Sequence, residues 1–192
     1  MKKIFRSLAI LAIASILGGC AAAVVGGAAA GGSIIHDRRT TGTIVEDKEI
    51  LVKAIGIKNG NKLLKEETNI SIYVYNLRVL LTGQAKDSTS LADFQKKLNA
   101  IPRVRAVINE VEVGAEGSWG EATSDAYLTS KVKLALFDVK IKGFDPLRVK
   151  VITSQGTVYL MGLLTEIEAE AASEKTRTIS GVKKVVRLFE YY

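Results

Sequence analysis

The chain has 192 residues, a formal net charge of +7, one Cys and one His. A single Cys excludes an internal disulfide, and a single His excludes a multi-histidine metal site. The basic excess is mild and falls short of the clustered charge of a nucleic-acid binder.

The N-terminus opens with Lys2, Lys3 and Arg6, runs uncharged from Leu8 to Leu17, and closes on Gly18, Gly19 and Cys20. Basic start, apolar segment and small-residue site form the secretory signal pattern. The apolar part is about half of the ~20 residues a spanning helix needs. Leu17-Gly18-Gly19-Cys20 resembles a bacterial lipobox; an ordinary secretory signal with a chance cysteine is the alternative. The resemblance implies that 1–19 is removed and that Cys20 carries a diacylglycerol thioether plus an amide-linked chain such as palmitate. Three acyl chains anchor far more firmly than the one that gives marginal binding. Ala21, where an Asp would signal inner-membrane retention, implies the outer membrane. Lys2, Lys3 and Arg6 leave with the signal, so +4 remains. Residues 20–42 are rich in Ala and Gly and are expected to act as a flexible tether, or alternatively a short interfacial helix.

The rest reads as an internal repeat. Ile70–Tyr75, a three-residue turn and Val79–Gly83 form one hairpin; Val149–Thr153, the turn Ser154–Thr157 and Val158–Gly162 form the other. Both are rich in β-branched and aromatic residues and end in Gly, read as a strand end needing special backbone angles. A helix follows each. Leu91, Phe94, Leu98 and Ile101 recur at helical spacing in the first, and Thr165-Glu166-Ile167-Glu168 forms a capping box in the second. A last strand begins near Val104 and near Val182. A helix also precedes each hairpin, from Asp47 in the first copy and near Ser124 in the second. The order helix, strand, strand, helix, strand, twice over, predicts an α+β fold with helices on one sheet face. The expected modules span 43–114 and 121–192.

Val158-Tyr159-Leu160-Met161-Gly162 and Gly181-Val182-Lys183-Lys184-Val185 resemble the BON domain of bacterial envelope proteins. The first copy departs at Arg103, where the family usually has Gly. A lipobox followed by two such modules is similar to the dual-BON outer-membrane lipoproteins, and the similarity includes Gly120-Glu121-Ala122 and Tyr127 to Val132. The resemblance implies a non-enzymatic, periplasm-facing protein supporting envelope integrity at division sites. It implies an anionic phospholipid partner met by the first helix of the second module, with outer-membrane assembly proteins as further partners.

That helix carries two apolar stripes. Leu128, Val132, Ala135 and Leu136 suffice to face a sheet, whereas Tyr127, Leu134 and Phe137 lie elsewhere, beside Ser130 and Lys131. Lys131, Lys133, Lys140 and Lys142 cluster around the second stripe against Asp138. Such a strip suits an anionic membrane interface, and Trp119 adds an amphipathic ring. The expected phospholipid contacts are Trp119, Gly120, Tyr127, Leu128, Ser130, Lys131, Lys133, Leu134 and Phe137. Packing of Tyr127 or Leu134 on the first module is the alternative, as is docking of a protein partner on the same strip.

No catalytic or metal site is expected. His36 falls in the tether; Glu166, Glu168, Glu170 and Glu174 read as a solvated helix side. The glycines at 26, 27, 31 and 32 follow no strand and indicate no phosphate loop. Neither a cofactor, apart from the acyl groups on Cys20, nor a small-molecule substrate nor nucleic acid is expected.

Overall fold

Thr40 starts the first helix. Its backbone is extended and its hydroxyl accepts the Thr43 N–H at 3.1 Å, so α1 runs Thr41–Asn59. The computed structural model describes residues 36–66, 68–86, 88–114 and 119–192, with side chains in these ranges except at 66 and 119–123. The signal segment, Cys20 and the tether as far as residue 35 lie outside the described residues. Asp47, expected to start the helix, is instead buried in its interior. After α1 come α2 (Lys62–Glu66), β1 (Thr68–Tyr75), β2 (Arg78–Ala85), α3 (Thr89–Asn99) and β3 (Ala106–Val113). The second copy has α4 (Trp119–Leu136), a 3-10 turn at Pro146–Arg148, β4 (Lys150–Ser154), β5 (Thr157–Met161) and β6 (Leu163–Leu164). It closes with α5 (Glu166–Arg177), β7 (Lys184–Arg187) and β8 (Glu190–Tyr191).

Each copy builds the same three-stranded sheet. β1 pairs antiparallel with β2, and β3, returning through α3, pairs parallel with β2. β4, β5 and β7 repeat the arrangement, and the ladder resumes beyond Gly162 as β6 with β8. Both hairpin turns are tighter than read: Tyr75 pairs with Arg78 and Ser154 with Thr157, leaving two residues in each loop. Each hairpin glycine meets half of its expected role: Gly83 has the special backbone angle but is not a strand end, and Gly162 follows the end of β5 without a positive φ. Gly83 lies inside β2 with φ +108°, and a Cβ there would run into the Asn69 carbonyl. Gly162 is needed for space: a Cβ would come within 2.8 Å of the Arg148 carbonyl oxygen.

Helices cover one face of each sheet. Ile50, Ala54, Leu91, Phe94 and Leu98 close over Val79 and Leu81 in the first copy. Leu128, Val132, Leu136, Ala169 and Ala172 close over Val158 and Leu160 in the second. Side chains alternate across a strand, so Leu80, Tyr159 and Met161 point the other way. There they meet Tyr75 and Ile152 in a third apolar core, flanked by Tyr73, Ile108, Val186 and Leu188. The two modules therefore stack sheet to sheet with their helices outward. This explains why Val79–Leu81 and Val158–Met161 are unbroken apolar runs: both faces are buried.

Polar contacts seal the seam. The Leu163 N–H donates to Tyr75 Oη at 3.2 Å, Asn76 donates to Glu190 at 2.9 Å, and Arg78 donates to the Leu188 carbonyl at 3.1 Å. β1 is an edge strand, and lysines occupy two of its carbonyls: Lys58 at Ile70 O and Lys150 at Val74 O. Burial lowers the pKa of both ammonium groups. Capped in this way, the edge is blunted against pairing with another chain.

Candidate functional site

On α4 the two stripes separate as the spacing predicts. Leu128, Val132 and Leu136, one turn apart, are 5%, 0% and 1% exposed and fill the second core. Tyr127, Leu134 and Phe137 are 68%, 71% and 57% exposed on the opposite side, with Ser130 exposed between them. The first module docks on the sheet and leaves Tyr127 and Leu134 uncovered. Leu128, expected as a lipid contact, belongs to the core and is corrected to a packing residue. Trp119 and Gly120 open α4, but their surroundings lie outside the described residues.

The lysines flank this strip. Lys133 is exposed on one side. On the other, Lys131 Nζ donates to the Ser180 carbonyl at 2.9 Å and sits 5.6 Å from the Tyr127 ring centroid. That contact is a weak cation–π interaction holding lysine and aromatic side by side. Lys140 and Lys142 are exposed in the following loop, and Asp138 is paired with Lys175 at 3.5 Å. Leu147, not singled out from sequence, adds an exposed apolar group at 60%.

Two carboxylates support the frame. Asp125 of α4 accepts the Gln155 and Gly156 N–H groups at 2.6 and 2.9 Å, pinning the β4–β5 turn. Glu166, Glu170 and Glu174 are exposed as read, but Glu168 is corrected: it is 4% exposed and closes the capping box with Thr165. It also takes Arg38 at 2.6 and 3.0 Å, with Arg148 at 3.6 Å. Burial pushes its pKa up, but the hydrogen bonds from Arg38 and Thr165 and the Arg38 charge hold it at about 2. Arg38 also donates to Leu163 O and lies 4.3 Å over the Tyr192 ring. The chain entering α1 is thus fastened to the second module. Neither Asp125 nor the Arg38 pairing was singled out from sequence; aligning the two copies of the repeat, which sets Asp125 against Asp47, is the signal that could have found the first, and nothing in the spacing signals the second.

Among the described residues no group of three or more His, Cys, Asp or Glu side chains could hold a metal ion. None of the described helices is long and apolar enough to cross a membrane.

Two stacked αββαβ modules, each with a helix outside and a shared seam inside, define a class. The BON domain matches residues 57–115 and 124–191, and the chain belongs to the BON-domain family. It is 37% identical over 188 residues to the outer membrane lipoprotein DolP of Haemophilus influenzae, covering 97% of this chain and 96% of that one. It is therefore a DolP-like, dual-BON outer-membrane lipoprotein. It is also 31% identical over 156 residues to the 21 kDa hemolysin of Actinobacillus pleuropneumoniae, covering 81% and 79% of the two chains. Among solved structures, the C-terminal domain of CdsD, a type III secretion structural protein of Chlamydia trachomatis, aligns over 76% of this chain and 67% of its own. Its TM-score is 0.29 at 14% identity, too low to bear on the argument.

Proposed function

We propose that this outer-membrane lipoprotein is non-enzymatic, faces the periplasm, and reads anionic phospholipid with the outer side of α4. The observation that carries the reading is the exposure of Tyr127, Leu134 and Phe137 on a helix whose packing needs are already met by Leu128, Val132 and Leu136. The apolar groups enter the headgroup boundary, and each nearby lysine adds roughly 1 kcal/mol of attraction to anionic lipid. Acyl chains on Cys20 hold the protein to one leaflet. The helix then works at the high effective concentration of a tethered site, so a weak preference is enough to bias where the protein gathers. A bias of this kind would concentrate it at division sites and support envelope integrity.

The test is flotation of residues 21–192, without acyl groups, on neutral and on anionic vesicles. The chain is expected to float only with anionic lipid, less so at high salt. Tyr127→Glu or Leu134→Glu should abolish flotation with circular dichroism unchanged. Flotation that survives both changes rules this face out. No flotation with either vesicle makes the strip a docking site for an envelope assembly protein.

A further inference from the structure

The seam face of the first sheet changes character along its strands. Strand register aligns Tyr73, Leu80 and Ile108 in one row, Ser71, Thr82 and Glu110 in the next, and Asn69, Gln84 and Glu112 beyond it. The first row is part of the apolar core between the modules. The next two rows are polar throughout, and here the modules part. A cleft of about 420 Å³ opens to the surface, with β1 and β2 on one side and α4 and β4 on the other. That volume lies within the roughly 300–1,000 Å³ of small-ligand sites. Stacking alone would favour further apolar side chains here, because a recessed hydroxyl or amide costs free energy unless it is hydrogen-bonded. Thr82 and Gln84 nevertheless line the floor at 1% and 7% exposure.

The chemistry of the cleft is neutral. Among the described residues, none that line it is a lysine or an arginine, so it is not built for an anion. The carboxylates around it are engaged. Glu110 accepts the Tyr159 hydroxyl, and Asp125 faces the cleft with both oxygens on the amides of the β4–β5 turn. The hydrogen-bond network orients the Gln155 amide so that its nitrogen donates to Glu112 at 3.0 and 3.2 Å and its oxygen accepts from Gln84. Between these groups the walls present the hydroxyls of Ser71, Thr82, Thr129 and Ser154, the Asn69 amide and the Tyr73 ring. Hydroxyls and amides both donate and accept without net charge, and the ring adds an apolar face with a polar tip. A sugar ring offers the complement: hydroxyls around its edge and C–H groups on its face.

We propose that this inter-module cleft binds a neutral oligosaccharide, with its hydroxyls on Ser71, Thr82 and Asn69 and one ring against Tyr73. The site is independent of the α4 strip, since it lies between the modules and carries no cation for a lipid headgroup. Its walls come from both modules, so an occupant also ties their stack together.

The experiment titrates the isotope-labelled mature chain, with Cys20→Ser, with maltotriose, with triacetylchitotriose and with the deacetylated, cationic form of the latter. At least one neutral trisaccharide should shift the amide resonances of 69–73, 82–84 and 153–155 while those of 134–137 stay in place. Ser71→Ala and Thr82→Val should each weaken that binding about fivefold with circular dichroism unchanged, and Thr82→Ser should retain it. Tighter binding of the acetylated sugar supports a site for acetamido sugars, and tighter binding of maltotriose supports one for a plain glucan. Absence of shifts with both neutral sugars, or binding that both weakening substitutions leave at parental affinity, overturns the site. Tighter binding of the cationic trisaccharide that is lost in high salt overturns the neutral assignment in favour of an amine.

Discussion

Asp47 and Asp125 do the same work in the two modules. Each leaves the inner side of a module's first helix and accepts both amides of the hairpin turn below it. Asp47 takes the N–H groups of Asn76 and Leu77 at 2.8 and 2.7 Å; Asp125 takes those of Gln155 and Gly156. The turn residues have positive φ in both copies, so their amides converge on one carboxylate. Asp47 is additionally paired with Arg39, whose guanidinium lies 3.8 Å from the Tyr75 ring centroid. Removing either carboxylate strands two turn amides. Asp125→Ala should cost about 2 kcal/mol, and Asp47→Ala about 3 kcal/mol because its ion pair with Arg39 goes as well. Urea midpoints at constant slope would check both.

Arg103 and Gly181 form a second matched pair, and here the copies differ. Arg103 has φ +73° where its counterpart Gly181 has φ +102°. A left-handed conformation costs a non-glycine residue about 1 kcal/mol or more. What Arg103 gains in return is an ion pair with Glu46 at 2.8 Å, largely in solvent and worth at most a few tenths. Arg103→Gly should therefore raise stability by about 0.5–1 kcal/mol, and Gly181→Ala should lower it by about 1 kcal/mol. Thermal denaturation of the two single variants gives opposite signs if the conformation, not the side-chain contact, decides.

These pairs show what was legible in the sequence. Helical spacing and runs of β-branched and aromatic residues place the helix, strand, strand, helix, strand order of each copy, since Leu91, Phe94 and Leu98 answer to a single local surface; the short α2, β6 and β8 carry no such pattern and were not read. The exposed face of α4 is legible for the same reason: Leu128, Val132 and Leu136 already satisfy one surface, and Tyr127 and Leu134 are left over. Asp47 misled because Asp is both a common N-cap and a good turn acceptor, and only the partner, 29 positions away, distinguishes the two. The sheet-to-sheet seam and Arg38–Glu168 were illegible. Both depend on how two finished modules meet, which has no periodicity along the chain.

Acid should loosen that last contact. The Arg38 guanidinium and the Thr165 hydrogen bonds hold the Glu168 carboxyl at about 2, below the 4.5 of an unconstrained glutamate. A depressed carboxylate contributes stability above its unfolded pKa and loses it as pH falls toward the folded value. The contribution is on the order of 3 kcal/mol, present above about pH 5 and lost progressively down to pH 2. Glu168→Gln should lower stability at neutral pH and flatten its dependence between pH 5 and pH 2. Urea unfolding at each pH would show parallel curves for the two proteins if Glu168 were not the titrating group.

The two stripes of α4 make opposite predictions for one type of change. Val132→Ala or Leu128→Ala removes methyl groups from a closed core and should cost about 1–4 kcal/mol of stability, with membrane binding unaltered under conditions where the protein is folded. Leu134→Ala should leave stability within about 0.5 kcal/mol of the parent, because Leu134 is 71% exposed and belongs to none of the three cores. On anionic vesicles the same change should weaken binding by roughly 10-fold, since the transfer energy of a leucine is then spent on the bilayer instead of the core. Loss of stability in Leu134→Ala, or loss of binding in folded Val132→Ala, would reverse the assignment of the two stripes.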